Sequence, residues 1–303
     1  MKIYNNANLS QKHLGSVIAI GNFDGLHIGH QKVINEAKQK AKKNKLPFGV
    51  MTFEPVPVMF FNKDIKNHRI NSLEQKKNQL EILKIDFLII IKFNKTFSNL
   101  SPEEFIEKII FKKTKCRYLY VSKNFRFGFK RQGNINTLKK FEKKFNYKNI
   151  ITKPYKKNDK TISSTFIRKK IRVGKIELVN KLLDRSWCIE GKVIKGKKRG
   201  RKIGFPTCNI NLNNYVIPKI GVYAVKVKVG VLNKKGIANV GYRPTFNGQN
   251  LLLETNIFGI NKNLYNKVIS VNFKKFLRSE KKFKNFDYLK KQIKIDIRQA
   301  KKK

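Results

Sequence analysis

Between residues 16 and 122 the chain repeats one pattern: a short apolar run, a turn, then a polar stretch with helical period. "SVIAIGNF" (16–23), "LPFGVMTFEP" (46–55), "DFLIIIKF" (86–93) and "CRYLYVS" (116–122) are too short and too apolar for surface helices and read as buried strands. Helical stretches separate them. In "HQKVINEAKQKAKKNK", Val33, Ile34, Ala37 and Ala41 share one face and the lysines take the other. "SLEQKKNQLEILK" starts with Ser72 and Gln75 in capping-box spacing, and "SPEEFIEKII" offers Ser101 as N-cap, Pro102 at the first helical position and Glu104 as reciprocal cap. Strand alternating with helix implies a parallel sheet covered on both faces. Ligands of such sheets bind beyond the carboxyl ends of the strands.

From Trp187 the pattern changes. "CIEGKVIKG", "GVYAVKVKVGVL", "GIANVGY", "LLLETNIFG" and "NKVISVNFKKFL" are short runs punctuated by Gly and Asn. Val225, Val227 and Val229 alternate with Lys226 and Lys228, and Ile269, Val271 and Phe273 repeat the alternation, the period of a half-buried strand. Several such strands in series predict an antiparallel barrel. The tail returns to helical period, with Phe286, Leu289, Ile293 and Ile297 on one face. A length of 303 residues suits two domains, and the expected linker lies at 184–187.

The net charge of +50 comes from 69 Lys and Arg against 19 Asp and Glu. Only 12 of the 69 are Arg, the residue that reads bases and phosphates by forked hydrogen bonds. The lysines are spread over both halves. The charge therefore reads as solvated surface, and no specific nucleic-acid partner is expected. An RNA-binding barrel is the non-enzymatic alternative that this charge suggests; it predicts steeply salt-dependent binding without turnover. Three widely spaced cysteines fit neither a disulfide framework nor a zinc cluster and suit a reducing cytoplasm. No apolar run is long enough to span a bilayer, and "MKIYNNANLSQKH" lacks the apolar core of a secretory signal.

The first strand runs into "GNFDGLHIGH" (21–30). Gly21, Gly25 and Gly29 let backbone approach a ligand. The helix that follows offers free N–H groups to an anion. His27 and His30 lie one turn apart, so both rings can face one phosphate and stabilise charge on a transferring group. A zinc pair is the rival use of two histidines; it lacks a third ligand at suitable spacing.

This stretch resembles the HxGH signature of the nucleotidylyltransferase superfamily. The form with Asn22, Phe23, Asp24 and Gly25 before His27 looks most like the bacterial bifunctional riboflavin kinase/FMN adenylyltransferase family, or FAD synthetases. Four further stretches carry the resemblance. "TFEPVP" (52–57) is similar to the family's second-strand motif. "NFRFGFKRQGN" (124–134) resembles its flavin loop; by its residues alone it is either a strand with one aromatic face or a loop gripping a flavin ring. "ISSTFIR" (162–168) resembles the motif facing ATP phosphates, although Ser163, Ser164 and Thr165 alone also read as helix caps. "GKKRGRKIGFPTCN" (196–209) resembles the riboflavin kinase signature. "ANVGYRPTFNG" (238–248), Glu254 on an apolar strand and "FLRSEKKF" (276–283) complete the pattern. Three positions depart from it: Asn124 stands where the family carries Asp, Val56 where it carries a polar residue, and Cys208 where it carries Ala.

The resemblance implies a Rossmann-like α/β nucleotidylyltransferase domain over 1–184 and an antiparallel β-barrel riboflavin kinase domain with a terminal helix over 185–303. The barrel is expected to phosphorylate riboflavin to FMN, and the first domain to join AMP from ATP to FMN, giving FAD and pyrophosphate. The expected partners are riboflavin, FMN and ATP, with Mg²⁺ as the cofactor; no membrane partner is expected. His27, His30 and Glu254 are the expected catalytic residues. Gly21, Asn22, Phe23, Asp24, Gly29, Ser163, Ser164, Thr165 and Arg168 would hold nucleotide phosphate in the first domain. Gly196, Gly200, Arg201 and Gly204 would do so in the second, with added charge from Lys197 and Lys198. Asn124, Phe125, Arg126, Phe127, Gly128 and Arg278 would contact flavin, and Thr207 and Asn209 would ligate the metal.

Overall fold

A computed structural model of the chain describes residues 1–157, 159–196, 199–212, 214–245, 248–260 and 262–302. They divide into two compact units. One comprises Met1–Lys66 and Leu73–Ser163; the other comprises Asn67–Ser72 and Ser164–Lys303.

In the first unit six strands form one sheet: β1 (Lys2–Tyr4), β2 (Val17–Ile20), β3 (Phe48–Glu54), β4 (Phe87–Lys92), β5 (Tyr118–Ser122) and β6 (Lys148–Thr152). Their order is β1-β4-β3-β2-β5-β6, and every pairing is parallel. The expected strands all form, each within a few residues of its predicted limits; β1 and β6 are additions. Helices α1 (Ile28–Lys43), α2 (Pro57–Phe61), α3 (Leu73–Ile82), α4 (Lys95–Ser98), α5 (Pro102–Glu104) and α6 (Ile135–Lys140) fill the connections, and a separate antiparallel pair, β7 (Lys156–Lys157) and β8 (Lys160–Thr161), follows the sheet.

Alternation along the strands sends side chains into two cores. Ile18, Ile20, Met51 and Leu119 meet Phe105, Ile106, Ile109 and Ile110 on one face. Val17, Ala19, Val50 and Leu88 meet Ile34, Ala37, Ala41 and Leu80 on the other. Both faces are covered, so the strands read as unbroken apolar runs. The capping box at Ser101 forms in both directions, Ser101 N–H to Glu104 Oε2 at 2.8 Å and Glu104 N–H to Ser101 Oγ at 3.1 Å. The helix beyond it continues as a π-helical stretch, Phe105–Lys113, which no local residue signals. The chain adds β3 and β4 on one side of β2 and then returns to add β5 on the other. The carboxyl end of β2 therefore lies at the point where strand order reverses, the place where α/β sheets bind ligands.

The second unit carries α7 (Ser164–Arg172), α8 (Ile176–Leu183), β9 (Cys188–Lys192), α9 (Arg199–Lys202), β10 (Cys208–Asn211), β11 (Gly221–Val229), β12 (Leu232–Thr245), β13 (Gly248–Ile257), β14 (Val268–Arg278) and α10 (Phe286–Lys301). The strands form an antiparallel sheet ordered β10-β13-β12-β11-β14-β9. A bridge between Ile194, just past β9, and Asn209 of β10 brings the two ends together into a near-barrel. Ile293, Ile297 and Ala300 pack α10 onto Val222, Ala224 and Ile237. Phe286, expected on the same packed face, is 66% exposed at the first turn, because α10 meets the sheet through its later turns.

A six-residue stretch from the N-terminal half is stitched into this unit. Arg69 bridges Tyr215, the Val216 N–H donates to Arg69 O at 2.7 Å, and Trp187 Nε1 donates to Ile70 O at 2.8 Å. Trp187, at the end of the expected linker, is 1% exposed, while Asp184 at its start is exposed.

Candidate active sites

The turn after β2 is shaped by its backbone. Phe23, Gly25 and Leu26 all have left-handed φ values, +46°, +84° and +40°. This tight path leads straight into α1, whose N-cap is His27: its Nδ1 accepts the His30 N–H at 3.3 Å. The two imidazoles stack, with centroids 3.7 Å apart and planes at 21°, and the edge of Phe23 packs against His30. A side chain at Gly29 would place Cβ 3.2 Å from the His27 ring, so glycine here makes room for that ring. The sequence thus foretold a paired-histidine helix start, and the structure brings Gly21 through His30 together around it. Accepting the His30 N–H leaves the proton of neutral His27 on Nε2. His27 and Asp24 are both 3% exposed.

Beyond the carboxyl ends of β3 and β4 runs a chain of aromatic rings. Phe60 and Phe61 lie 5.3 and 5.7 Å from Phe93. Phe93 and Phe97 lead to Phe105, Phe127 and Phe125. Phe60, Phe61, Phe93 and Phe97 escaped sequence reasoning; the only signal was their aromatic density between elements. The stretch 124–134 is a loop closed by mutual hydrogen bonds between Phe127 and Gly133. Phe127 belongs to the core, while Asn124 and Arg126 are exposed. Gly128, at φ +72°, lies so close to Pro102 that a Cβ would reach its backbone nitrogen at 2.7 Å.

Ser163 is the last residue of the first unit, and Ser164, Thr165 and Arg168 open α7 in the second. Thr165 is exposed. Arg168 is 9% exposed and donates Nε–H to His68 O at 2.8 Å.

The second site is a cleft of about 830 Å³ lined by Gly196, Gly200, Thr207, Asn209, Glu254 and Arg278 among others. The sheet register explains the gathering. Asn209 pairs with Glu254, Glu254 with Asn239, Asn239 with Val222, and Val222 with Arg278. One row across five strands therefore presents Asn209, Glu254, Asn239, Val222 and Arg278 in that order. A Cβ on Gly196 would meet Asn209 Nδ2 at 2.0 Å, and one on Gly200 would meet Phe205 O at 2.5 Å. Gly200 is demanded by that backbone approach, whereas at Gly196 the neighbour is the end of the Asn209 side chain. Arg201 is exposed, and Gly204 turns the loop at φ +85°. Lys197 and Lys198, and Phe246 and Asn247 of the 238–248 turn, lie outside the described residues. Cys208 is buried and its thiol is pushed up to about 11 by that burial, so it stays neutral and fills space as Ala would.

The donor set fits a hard cation. Asn209 Oδ1 is buried with no hydrogen-bond partner among the described residues, and the Thr207 hydroxyl lines the same cleft. Oxygen donors of this kind suit a hard divalent cation. Arg278 is committed to the protein. Its Nε and Nη2 donate to the two carboxylate oxygens of Asp296 at 2.9 and 2.8 Å, and Nη1 donates to Ser279 O. Asp296 is 1% exposed and also accepts from Gln292. Asn239 and Asp296 are cleft residues that sequence reasoning missed, because register and the docking of α10 place them there.

Two known families match successive parts of the chain. The family described as FAD synthetase matches residues 9–166, and the family described as riboflavin kinase matches 183–303. The bifunctional riboflavin kinase/FMN adenylyltransferase of Buchnera aphidicola subsp. Schizaphis graminum is 41% identical over 300 residues, 97% of this chain and 96% of the relative. The protein of the same name from Escherichia coli K12 is 35% identical over 291 residues, 95% and 93% of the two chains. A crystal structure described as a macrolide-efflux protein from Streptococcus pneumoniae superposes with a TM-score of 0.87 at 29% identity, over 99% of this chain and 98% of that one. Among the described residues here, no helix is long and apolar enough to cross a membrane. Two site architectures on one chain, a family match to each, and relatives of one name along its whole length lead to one conclusion: the chain belongs to the bifunctional riboflavin kinase/FMN adenylyltransferase family.

Proposed function

We propose that the chain makes both flavin cofactors in sequence, phosphorylating riboflavin to FMN and then adenylating FMN to FAD with release of pyrophosphate. ATP is the donor in both steps. The observation that carries this reading is the presence of two separate anion-binding architectures, the turn before α1 and the cleft between β10 and α10, each within its own family match. The functional segments are 1–184 and 185–303.

In the cleft, Glu254 is the group that accepts the proton of the riboflavin 5′-hydroxyl as that oxygen attacks the γ-phosphorus of ATP. The register pairing of Glu254 with Asn209 supports this role, because it sets the base beside the metal-binding position. Thr207 and Asn209 hold Mg²⁺, which supplies charge neutralisation of the phosphates. Gly196 and Gly200 allow the loop backbone close to them, with Gly204 and Arg201 at its far end. Arg278 forms part of the flavin wall and is braced by Asp296.

In the first domain the nucleophile is the FMN phosphate, ionised at neutral pH. The task is to hold two anions in line and to screen their repulsion. The N–H groups of Asn22–Asp24, the start of α1 at Gly29, and His27 and His30 supply that screening; the Gly21 N–H donates to Met51 O at 3.1 Å, so Gly21 serves by leaving room for the ligand. By the family resemblance, Ser163, Ser164, Thr165 and Arg168 are assigned to nucleotide phosphate, for which their hydroxyls and guanidinium are suited donors. The aromatic row ending at Phe125 and Phe127 supports flavin-ring binding next to Asn124, Arg126 and Gly128.

Incubating the protein with riboflavin, ATP and Mg²⁺ and separating products by chromatography tests the reading. FMN should appear first and FAD after it. Unchanged riboflavin would refute it, and replacing Mg²⁺ by chelator should stop both steps.

A further inference from the structure

We propose that Lys76 is a positioning residue for adenylyl transfer, locking the peptide between Asn22 and Phe23 so that its N–H faces the nucleotide phosphates. The inference rests on the reading of the turn after β2 as the phosphate site and adds the device that holds that turn in shape.

Lys76 belongs to α3, whose other lysine, Lys77, lies toward the surface and pairs with Glu74. Lys76 itself is 2% exposed. Its Nζ donates to Asn22 O at 2.7 Å and to Thr52 Oγ1 at 3.1 Å. The Thr52 hydroxyl donates in turn to the same Asn22 carbonyl at 3.2 Å, and Thr52 is fully buried in β3. An ammonium is expensive to bury, and a site that keeps one must use its charge or its hydrogen bonds. Here two buried donors converge on one carbonyl, and that carbonyl opens the turn whose next residue, Phe23, has φ +46°. Phenylalanine pays steric energy in the left-handed region, so the turn needs an external hold.

The consequence for the site is geometric. In a trans peptide the N–H points opposite to the C=O. Turning the Asn22 carbonyl onto the buried Lys76 and Thr52 therefore directs the Phe23 N–H away from them; Asn22 itself is exposed. The following residues lead directly to His27 at the N-cap of α1. Successive N–H groups in such a turn form an anion nest. The buried positive charge behind the peptide polarises it further and favours a polyphosphate in front of it. Lys76 touches no substrate in this scheme; it acts through the Asn22–Phe23 peptide.

The test uses the full chain and its two activities. In Lys76→Met the efficiency of FAD formation from FMN and Mg-ATP should fall about 100-fold, as for loss of one preorganised donor. The loss should include a raised KM for ATP. FMN formation by the same preparation should keep its kcat and KM, which a general folding defect would not spare. Thr52→Val, which removes one of the two donors, should lower FAD formation several-fold with the same selectivity. Adding Thr52→Val to Lys76→Met should cost little more, since both act on one carbonyl. FAD formation within threefold of wild type in Lys76→Met overturns the proposal. So does a parallel loss of both activities with a lowered melting temperature in Thr52→Val. Should Lys76→Met not fold, Thr52→Val decides alone, and undiminished FAD formation there overturns the proposal. Failure of the wild-type chain to make FAD would instead overturn the reading of the site.

Discussion

At the scale of single residues, the two activities separate by the side chains each employs. His30 stacks on His27 at the start of α1, and the proposed function gives its imidazole a place in the anion screen of one domain only. His30→Ala should reduce FAD formation at least 100-fold and leave FMN formation within twofold, measured by chromatography on the same sample. Glu254→Gln makes the opposite cut. The amide preserves shape next to Asn209 but cannot take a proton, so FMN formation should fall about 10²–10⁴-fold. FAD formation from supplied FMN should persist. Loss of both activities in either variant would contradict the division. The paired histidines at the start of α1 were legible from their spacing of one helical turn, whereas Glu254, Thr207 and Asn209 were singled out through the family resemblance, and the cleft brings those three together. Asn239 and Lys76 were not legible. Asn239 lies inside the 238–248 stretch with no role read from it, and Lys76 is one Lys among 57; burial and register give them their places.

Among the elements, α10 shows how a surface helix becomes part of a cleft wall. Its last turns cover the sheet through Ile293, Ile297 and Ala300, and its middle supplies Asp296 to Arg278. The side chains of this pair are 2% and 16% exposed, so breaking it leaves a largely buried guanidinium without its carboxylate. Asp296→Asn should destabilise the second unit by about 3–5 kcal/mol, read as a lower midpoint of thermal unfolding, and should weaken FMN formation through loss of the Arg278 brace. An unchanged midpoint would place the pair among interactions without net effect. The periodicity of α10 was legible, and so were its packed residues Ile293 and Ile297. Its polar anchor was not, since Asp296 reads as one more charged position on a helix with a solvated face.

Across the whole molecule, chain order and compactness part company. The six residues Asn67–Ser72 lie within the N-terminal sequence yet pack with the second unit, where they accept the Trp187 indole N–H and the Val216 N–H. A fragment spanning 164–303 would leave both donors without those acceptors, at about 1–3 kcal/mol each. It should melt at a lower temperature than the same unit in the full chain. Trp187 is the chain's one tryptophan, so its fluorescence reports the change directly, and its emission should shift to the red. Equal stability and emission would show the stitch to be dispensable. The parallel sheet, the near-barrel and both motif turns were determined by the sequence alone, because hydrophobic period, glycine placement and capping act over a few residues. The partition of the chain, the row from Asn209 to Arg278 and the buried Lys76 were decided only by tertiary structure. They depend on which distant segments meet, and no local pattern records the free energy of that meeting.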